Sequence, residues 1–413
     1  MRESRHKTSM LRCFRIAKYV YNHRAGTPNV AVVTREFDVV LFGATGFTGS
    51  LTAEYLAAQT GSRWAVAGRN PDKLAALRDR LGVEVPILVA DSTDPASLRE
   101  VAERAGVVAS TVGPYVLHGE PLVAACAEAG TDYVDLTGEQ EFVDRMYVRY
   151  HATAERSGAR LVHACGFDSV PHDLGALFTV QQLPADRPIT MRGYVTAGGT
   201  ASGGTLASAV TAMSRFREAS SVHRQRREIE KHAVQRRVRL LNGRPGYDRA
   251  IGHWVLPLPT IDPQIVLRSA SALPEYGPDF SYGHFVALRS PLTAAAIAAG
   301  VGGAFVLAQL PATREFLLRR RPSGTGPDEA QRARSWFRVR FLATAGDQRI
   351  TTEVSGGDPG YGETAKMLAE SALCLAHDDL PSVSGQVTTA VAMGDALRGR
   401  LERAGLTFRV VQD

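Results

Sequence analysis

Residues 37–49 read Phe-Asp-Val-Val-Leu-Phe-Gly-Ala-Thr-Gly-Phe-Thr-Gly. A short apolar run ends in Gly43, Gly46 and Gly49 follow at three-residue steps, and a helical pattern begins at once. In a strand–turn–helix context each glycine has a task. The first permits the tight turn, the second lets backbone N–H groups approach a pyrophosphate, and the third lets the helix pack close to the strand. The helix N-terminus then turns its unpaired donors and positive dipole end toward the anion. Gly43, Ala44, Thr45, Gly46, Phe47, Thr48 and Gly49 are therefore the expected dinucleotide cradle.

The Gly-x-x-Gly-x-x-Gly spacing resembles that of NADP-linked reductases more than the commoner G-x-G-x-x-G. The next strand agrees. Trp64-Ala65-Val66-Ala67 runs into Gly68-Arg69-Asn70, and Arg69 stands 20 residues beyond Gly49. NAD-selective sites place an acidic residue near that point for the ribose 2′-OH. An arginine there suits a 2′-phosphate instead, because its planar cation pairs with phosphate and stacks on adenine. NADP(H) is the expected cofactor.

Outward from this unit, strand-like and helix-like runs alternate. The strand-like runs are 37–42, 64–67, 85–90, 107–112, 132–136 and 159–164, with helical patterns near 47–60, 71–81, 94–105, 119–130 and 139–157. Asn70-Pro71 and Asp94-Pro95 are cap-then-proline helix starts. This alternation predicts an α/β fold with a doubly wound parallel sheet of Rossmann type. After Pro171 the rhythm changes to a mixed α+β pattern. It has a strand at 189–197, a glycine-rich loop at 198–205, a basic helix within 215–239, a proline-rich loop at 255–263, a hairpin of 335–345 with 348–355, and helices at 361–377 and 394–404. The expected organisation is a basic extension (1–35), a cofactor domain (36–170), a mixed substrate domain (171–358), and C-terminal helices (359–413) that can pack back on the cofactor domain.

A chain of 413 residues with 44% hydrophobic content and 39 glycines is globular and long enough for two domains. Its net charge of +6 is uneven: residues 1–35 carry +7, residues 215–239 carry +6, and the remainder is acidic. Basic runs can meet nucleic acid, lipid or acidic substrates. No aromatic-interleaved or helix-turn-helix pattern accompanies them, so no nucleic-acid partner is expected. Cys13, Cys126, Cys165 and Cys374 lack metal-type spacing, so reduced thiols, a cytoplasmic setting and no metal are expected. Residues 1–34 lack the apolar core and cleavage site of a signal peptide. Residues 291–312 contain no charged side chain, and Arg319, Arg320 and Arg321 follow. The Ala- and Gly-rich run is read first as a buried or acyl-lining element, next as an interfacial helix, and last as a membrane span.

The groups that could carry chemistry lie where the strands end, because ligands bind beyond the carboxyl ends of an open α/β sheet. Asp91 and Ser92 follow the third strand, on the adenine side. Gly113 and Pro114 follow the fourth and would let the backbone run against the nicotinamide ribose. Tyr115 would sit near the ring, with His118 one turn on, and either could donate a proton. Asp168, in Cys165-Gly166-Phe167-Asp168-Ser169-Val170-Pro171-His172-Asp173, could orient substrate or water. The alternative for that run is a hinge with a helix cap from Ser169 or Asp173. Cys165 has no evident histidine partner, which disfavours thiol chemistry.

Gly-Ala-Thr-Gly-Phe-Thr-Gly, Ala-Gly-Arg, Thr-Val-Gly-Pro-Tyr, Tyr-Val-Asp-Leu-Thr-Gly-Glu and Cys-Gly-Phe-Asp-Ser-Val-Pro occur in this order. Together with Ser202-Gly203-Gly204-Thr205, Ala270-Ser271-Ala272-Leu273 and Ala392-Met393-Gly394-Asp395-Ala396-Leu397 they resemble the saccharopine dehydrogenase-like oxidoreductases, and most closely their trans-acting enoyl reductase branch. The likeness spans about residues 36–413. It implies an NADPH-dependent reductase that serves a polyketide synthase lacking its own enoyl reductase. The substrate would be an α,β-unsaturated acyl thioester presented by a carrier domain. A peripheral place at the inner face of the plasma membrane and a homodimer are consistent with it. Enolate stabilisation falls to backbone donors of the 199–205 loop or to Tyr115. Two other readings stand beside this one. One is reduction of a C=N or C=O bond in a small polar substrate, for which Arg192 and Arg268 are candidate carboxylate clamps. The other is a non-catalytic NADP-binding adaptor at membranes or lipid bodies.

Overall fold

The computed structural model describes residues 35–59, 61–198, 214–230, 235–308 and 326–412. The glycine-rich loop beyond Gly198, the basic extension and the end of the apolar run lie outside these residues.

The first half is built as the alternation predicts. Strands β1 (Phe37–Phe42), β2 (Trp64–Gly68), β3 (Ile87–Val89), β4 (Ala105–Ser110), β5 (Asp132–Asp135) and β6 (Arg160–Val162) alternate with α1 (Phe47–Ala57), α2 (Pro71–Leu81), α3 (Pro95–Arg104), α4 (Tyr115–His118), α5 (Glu120–Ala129) and α6 (Gln140–Ser157). Asn70 caps α2 by accepting from the Lys73 amide at 2.9 Å, and Asp94 caps α3 from the Ala96 amide at 3.0 Å. Gly82 ends α2 at φ 66°, where a β-carbon would be strained.

The chain continues through α7 (Val170–Val180), β7 (Ile189–Gly198), α8 (Phe216–Ile229), β8 (Arg237–Leu240), β9 (Gly246–Asp248), β10 (His253–Pro257), α9 (Asp262–Ala272) and β11 (Asp279–Leu288). It closes with α10 (Pro291–Ala308), α11 (Glu329–Arg334), β12 (Trp336–Ala345), β13 (Gln348–Gly356), α12 (Gly362–His377), β14 (Gly385–Val387), α13 (Thr389–Ala392), α14 (Gly394–Arg403) and β15 (Thr407–Val410).

Two sheets result. The first has the order β14-β6-β5-β4-β1-β2-β3 with every pairing parallel. Strand order reverses between β1 and β4, which puts the ligand crevice at their carboxyl ends. The second sheet runs β15-β13-β12-β7-β11-β10-β9, with β8 also on β11, and mixes parallel and antiparallel pairs. The β12–β13 hairpin pairs Ala345 with Gln348 around Gly346 at φ 60°, as its sequence signalled.

Alternation along β1 explains the packing. Val39 and Leu41 join a core that also contains Tyr282, Phe337, Phe341 and Met367, so one apolar layer is shared by both sheets. Val40 and Phe42 face the opposite layer with Leu98, Val123 and Phe142, and Phe37, at the first position of the strand, departs from the alternation to join that layer. Helix α7 packs on β12 and β13, and α12 packs on α1, β1, β4 and β5.

One expectation holds and two need correction. The basic helix expected within 215–239 is α8, which ends at Ile229, and β8 begins at Arg237. Part of the charge of this stretch faces α6: Arg215 pairs with Glu141 at 2.7 Å, and His223 and Arg226 each meet Asp144 at 2.9 Å. The stretch 255–263 is not a loop throughout. Trp254, Val255 and Leu256 pair with β11, and Asp262-Pro263 opens α9. Finally, α10 is not core. Leu292 is 81% and Val301 48% exposed, and the β-carbons that Gly300, Gly302 and Gly303 lack would meet open space. No helix among the described residues is long and apolar enough to cross a membrane.

Candidate active site

The β1–α1 turn has the geometry a dinucleotide requires. Gly43 sits at φ 86°, and a β-carbon there would stand 2.6 Å from Val112 Cγ2. A β-carbon on Gly49 would run into the Gly43 carbonyl oxygen and come within 2.9 Å of Thr111 Oγ1. At Gly46 it would meet only the Gly43 oxygen, at 3.4 Å, so that face is open. Gly46 is the N-cap of α1, no side chain caps this helix, and no acidic residue stands in its first turn. Its leading amides and positive dipole end thus remain available to an anion. Ala44 is buried, Thr45 exposed and Thr48 half-buried. The Phe47 ring points away to the second half of the chain. It stacks edge-on with Tyr361 at 4.7 Å, lies under the Arg332 guanidinium at 5.7 Å, and leaves no room for a β-carbon on Gly326.

At the ends of β2 and β3, Arg69 is exposed and makes no ion pair with any described residue. Asp91 closes a local turn, accepting from the Thr93 amide at 2.9 Å and the Thr93 hydroxyl at 2.8 Å. These bonds hold its carboxyl below the usual range, and the nearby charges of Arg69 and His118 add to the effect. Ser92 is half-buried beside it. Arg69, Asp91 and His118 therefore share one rim. His118 ends α4 with its side chain in solvent.

At the end of β4, the Thr111 hydroxyl donates to the Gly43 carbonyl at 3.0 Å and locks this loop to the glycine turn. Gly113 is exposed and Pro114 half-buried. Tyr115 does not face the ligand side as expected. Its hydroxyl donates to the Ser110 carbonyl at 3.0 Å and accepts from the Leu136 amide at 3.2 Å. Burial pushes that hydroxyl well above its ordinary range. Both hydrogen bonds are spent on backbone, so Tyr115 braces β4 against β5 and is not placed to donate a proton. Glu139 holds the start of α4 by accepting from the Tyr115 and Val116 amides at 3.0 and 2.7 Å. That role follows from helix-end electrostatics, but sequence spacing alone did not reveal it.

The loops after β5 and β6 are stapled together. Asp135 accepts from the Thr137 and Ala164 amides and pairs with His163 Nδ1 at 2.7 Å. Asp168 comes up beside Gly138, where a β-carbon would lie 3.0 Å from its Oδ2. Burial pushes the Asp168 carboxyl up to about 6, the charge of Asp262 raises it further, and His172 opposes the rise. The Ser169 side chain makes no cap and donates to the Asp168 carbonyl. Asp173 is a buried staple, accepting from Ser269, Thr389 and the Ala390 amide at 2.6, 2.7 and 2.8 Å. Cys165 is buried, which pushes its thiol well up and leaves it inert.

Below Asp168 lies a group that sequence reading missed. His172 on α7, Asp262 at the start of α9 and His284 on β11 converge, with Nδ1 of His172 2.9 Å and Nε2 of His284 3.6 Å from Asp262. Burial alone would raise the Asp262 carboxyl, but His172 and then His284 beside it hold it low. Burial pushes His284 down to about 4, so its imidazole is neutral. Three distant positions on three elements give no local pattern, so only the fold unites them.

The donor set fits the expected cofactor: an uncapped helix end, an open face at Gly46 and an unpaired Arg69 at one switch point. Fold and site define an NADP(H)-dependent oxidoreductase of the Rossmann type, and residues 39–162 match the saccharopine dehydrogenase NADP-binding domain. The chain is 40% identical to a candidate trans-acting enoyl reductase of Mycobacterium tuberculosis, over 92% of this chain and 98% of the relative. It is 36% identical to the trans-acting enoyl reductase of Mycobacterium ulcerans, over 90% and 97%, and 38% identical to that of Mycobacterium bovis, over 91% and 97%. The chain belongs to this trans-acting enoyl reductase family. Among solved structures, apo saccharopine dehydrogenase (L-Glu forming) of Saccharomyces cerevisiae has the same fold, with a TM-score of 0.53 at 13% identity over 91% of this chain and 99% of that one.

Proposed function

We propose that this chain is an NADPH-dependent enoyl reductase that acts on an α,β-unsaturated acyl thioester in the assembly of a polyketide or complex lipid. The glycine turn and Arg69 would hold the cofactor, which would supply the hydride for the β-carbon. The α-carbon must then take a proton, and in this reading Asp168 gives it. It stands at the carboxyl ends of β5 and β6, and its carboxyl is raised to about 6, so part of it keeps a proton near neutrality. Asp168 is the observation that carries the chemical half of this reading.

A small dicarboxylic substrate is disfavoured by the arginines that would have to clamp it. Arg192 pairs with Asp248 at 3.3 Å. Arg268 pairs with Glu230 at 2.9 Å and stacks over Tyr147 at 5.0 Å. Neither cation is free. The exposed, uncharged α10 suits peripheral contact with a lipid surface, close to where such products accumulate.

The test is NADPH oxidation by purified protein, followed at the nicotinamide absorbance, with a medium-chain 2-enoyl thioester free and carrier-bound. Oxidation that depends on the thioester supports the reading. Turnover with a lysine/2-oxoglutarate mixture and none with either thioester would overturn it. Tight NADPH binding with no turnover on any substrate would favour the adaptor reading.

A further inference from the structure

We infer that His172, Asp262 and His284 form a binding site for one divalent transition-metal ion of the zinc class. The three side chains come from α7, the first residue of α9 and the middle of β11. One ligand atom from each lies within 4.8 Å of the others, and all three residues are buried. Buried polar atoms in folded proteins almost always have partners. Here His172 Nδ1 and Nε2, Asp262 Oδ1 and His284 Nε2 have no hydrogen-bond partner. Although His172 Nδ1 approaches Asp262 to 2.9 Å, the pair lacks hydrogen-bond alignment. A shared cation would satisfy these atoms together.

The chemistry narrows the ion. Two imidazoles and one carboxylate suit zinc, which takes three protein ligands and keeps a fourth position open. Bonds of about 2.0–2.2 Å in a tetrahedron put ligand atoms roughly 3.3 Å apart. His172 Nδ1 lies 2.9 Å from Oδ1 of Asp262 and His284 Nε2 3.6 Å from Oδ2, so each imidazole faces its own oxygen of the one carboxylate, within reach of a shared ion. The outer shell is also in place. Nδ1 of His284 shares a hydrogen bond with the Tyr282 hydroxyl at 3.0 Å, which aims Nε2 at Asp262. A β-carbon on Gly193 would collide with that hydroxyl, so glycine on β7 makes the space for it. The edge of the Phe167 ring closes the site beside His172 at 5.4 Å. An ion here ties α7 to the second sheet. The inference does not depend on the enoyl substrate.

The experiment uses the full chain, stripped with chelator and then titrated with Zn²⁺ or Co²⁺. Expected are one zinc per chain by elemental analysis, a rise in melting temperature on adding Zn²⁺, and a saturable cobalt visible band typical of four-coordinate nitrogen and oxygen ligation. His284→Gln and Asp262→Asn should weaken Zn²⁺ binding at least tenfold, whereas His377→Gln on the surface should not. Unchanged affinity in the first two variants would overturn the assignment. Should those variants fail to fold, the wild type still decides. A stripped protein with no saturable cobalt band and no zinc-dependent melting shift holds a metal-free, proton-sharing trio instead.

Discussion

The Glu139 carboxylate accepts from the Tyr115 amide at 3.0 Å and, with its second oxygen, from Val116 at 2.7 Å. One buried carboxylate after β5 thus fixes the first turn of the helix after β4, and with it the Gly113–Pro114 turn. Hydrogen bonds to charged groups contribute about 1.5–3 kcal/mol each. Glu139→Ala should therefore destabilise the protein by about 3 kcal/mol and weaken NADPH binding, read by denaturant unfolding and by titration. A variant that matches wild type in both would show that α4 does not need this cap.

The two later glycines of the turn should separate stability from binding. Gly49→Ala sets a β-carbon against backbone, the Gly43 carbonyl, which cannot swing aside. Overpacking of this kind costs about 1–3 kcal/mol. Gly46→Ala adds a β-carbon to the open face, where its nearest neighbour is 3.4 Å away, so unfolding should be nearly unchanged while NADPH affinity falls. Denaturation midpoints and cofactor titrations on both variants check this. A stable Gly49→Ala, or an unstable Gly46→Ala, would reverse the assignments.

These contrasts show what was legible in the chain. Glycine spacing, Asn70-Pro71, Asp94-Pro95 and β-strand alternation are local signals, and the cofactor half follows them closely. Tyr115 was misread because its position after β4 is readable and its direction is not: the side chain turns inward to Ser110 and Leu136. His172, Asp262 and His284 were invisible as a set because only the packing of α7 and α9 on the second sheet joins them. The exposure of α10 was also hidden, since a charge-free sequence is the same in a core or on a surface.

Arg69 tests the cofactor assignment. It is exposed at the end of β2 with no ion pair among the described residues, and a 2′-phosphate would gain charge-assisted hydrogen bonds from it. At about 1.5–3 kcal/mol for such bonds, Arg69→Ala should weaken NADPH binding by roughly ten- to a hundredfold. NADH binding should change little, because no phosphate is lost. Equal losses for both cofactors, measured by fluorescence titration, would remove Arg69 from the 2′-phosphate site.

Asp168 should leave two pH signatures in chelator-treated protein. Its carboxyl is raised from 3.8 to about 6 in the folded chain. The folded state therefore binds this proton more tightly than the unfolded state, and ionisation works against folding. That penalty is absent below pH 3.8, accumulates as pH rises to about 6, and is fully present above it. Asp168→Asn, which cannot ionise, should melt higher than wild type at pH 8, and the gap should close by about pH 4. Catalysis runs the same way. An acid must hold its proton, so the wild-type rate on enoyl thioester should fall as pH rises through about 6. In Asp168→Asn the rate should be low, and this limb should be gone. A limb that survives unchanged would place the proton donor elsewhere, whereas a melting gap independent of pH would show that the half-buried carboxyl is not raised. The two readouts fail separately, because the first concerns which atom reaches the α-carbon and the second concerns only the cost of a charge beside Gly138 and Asp262.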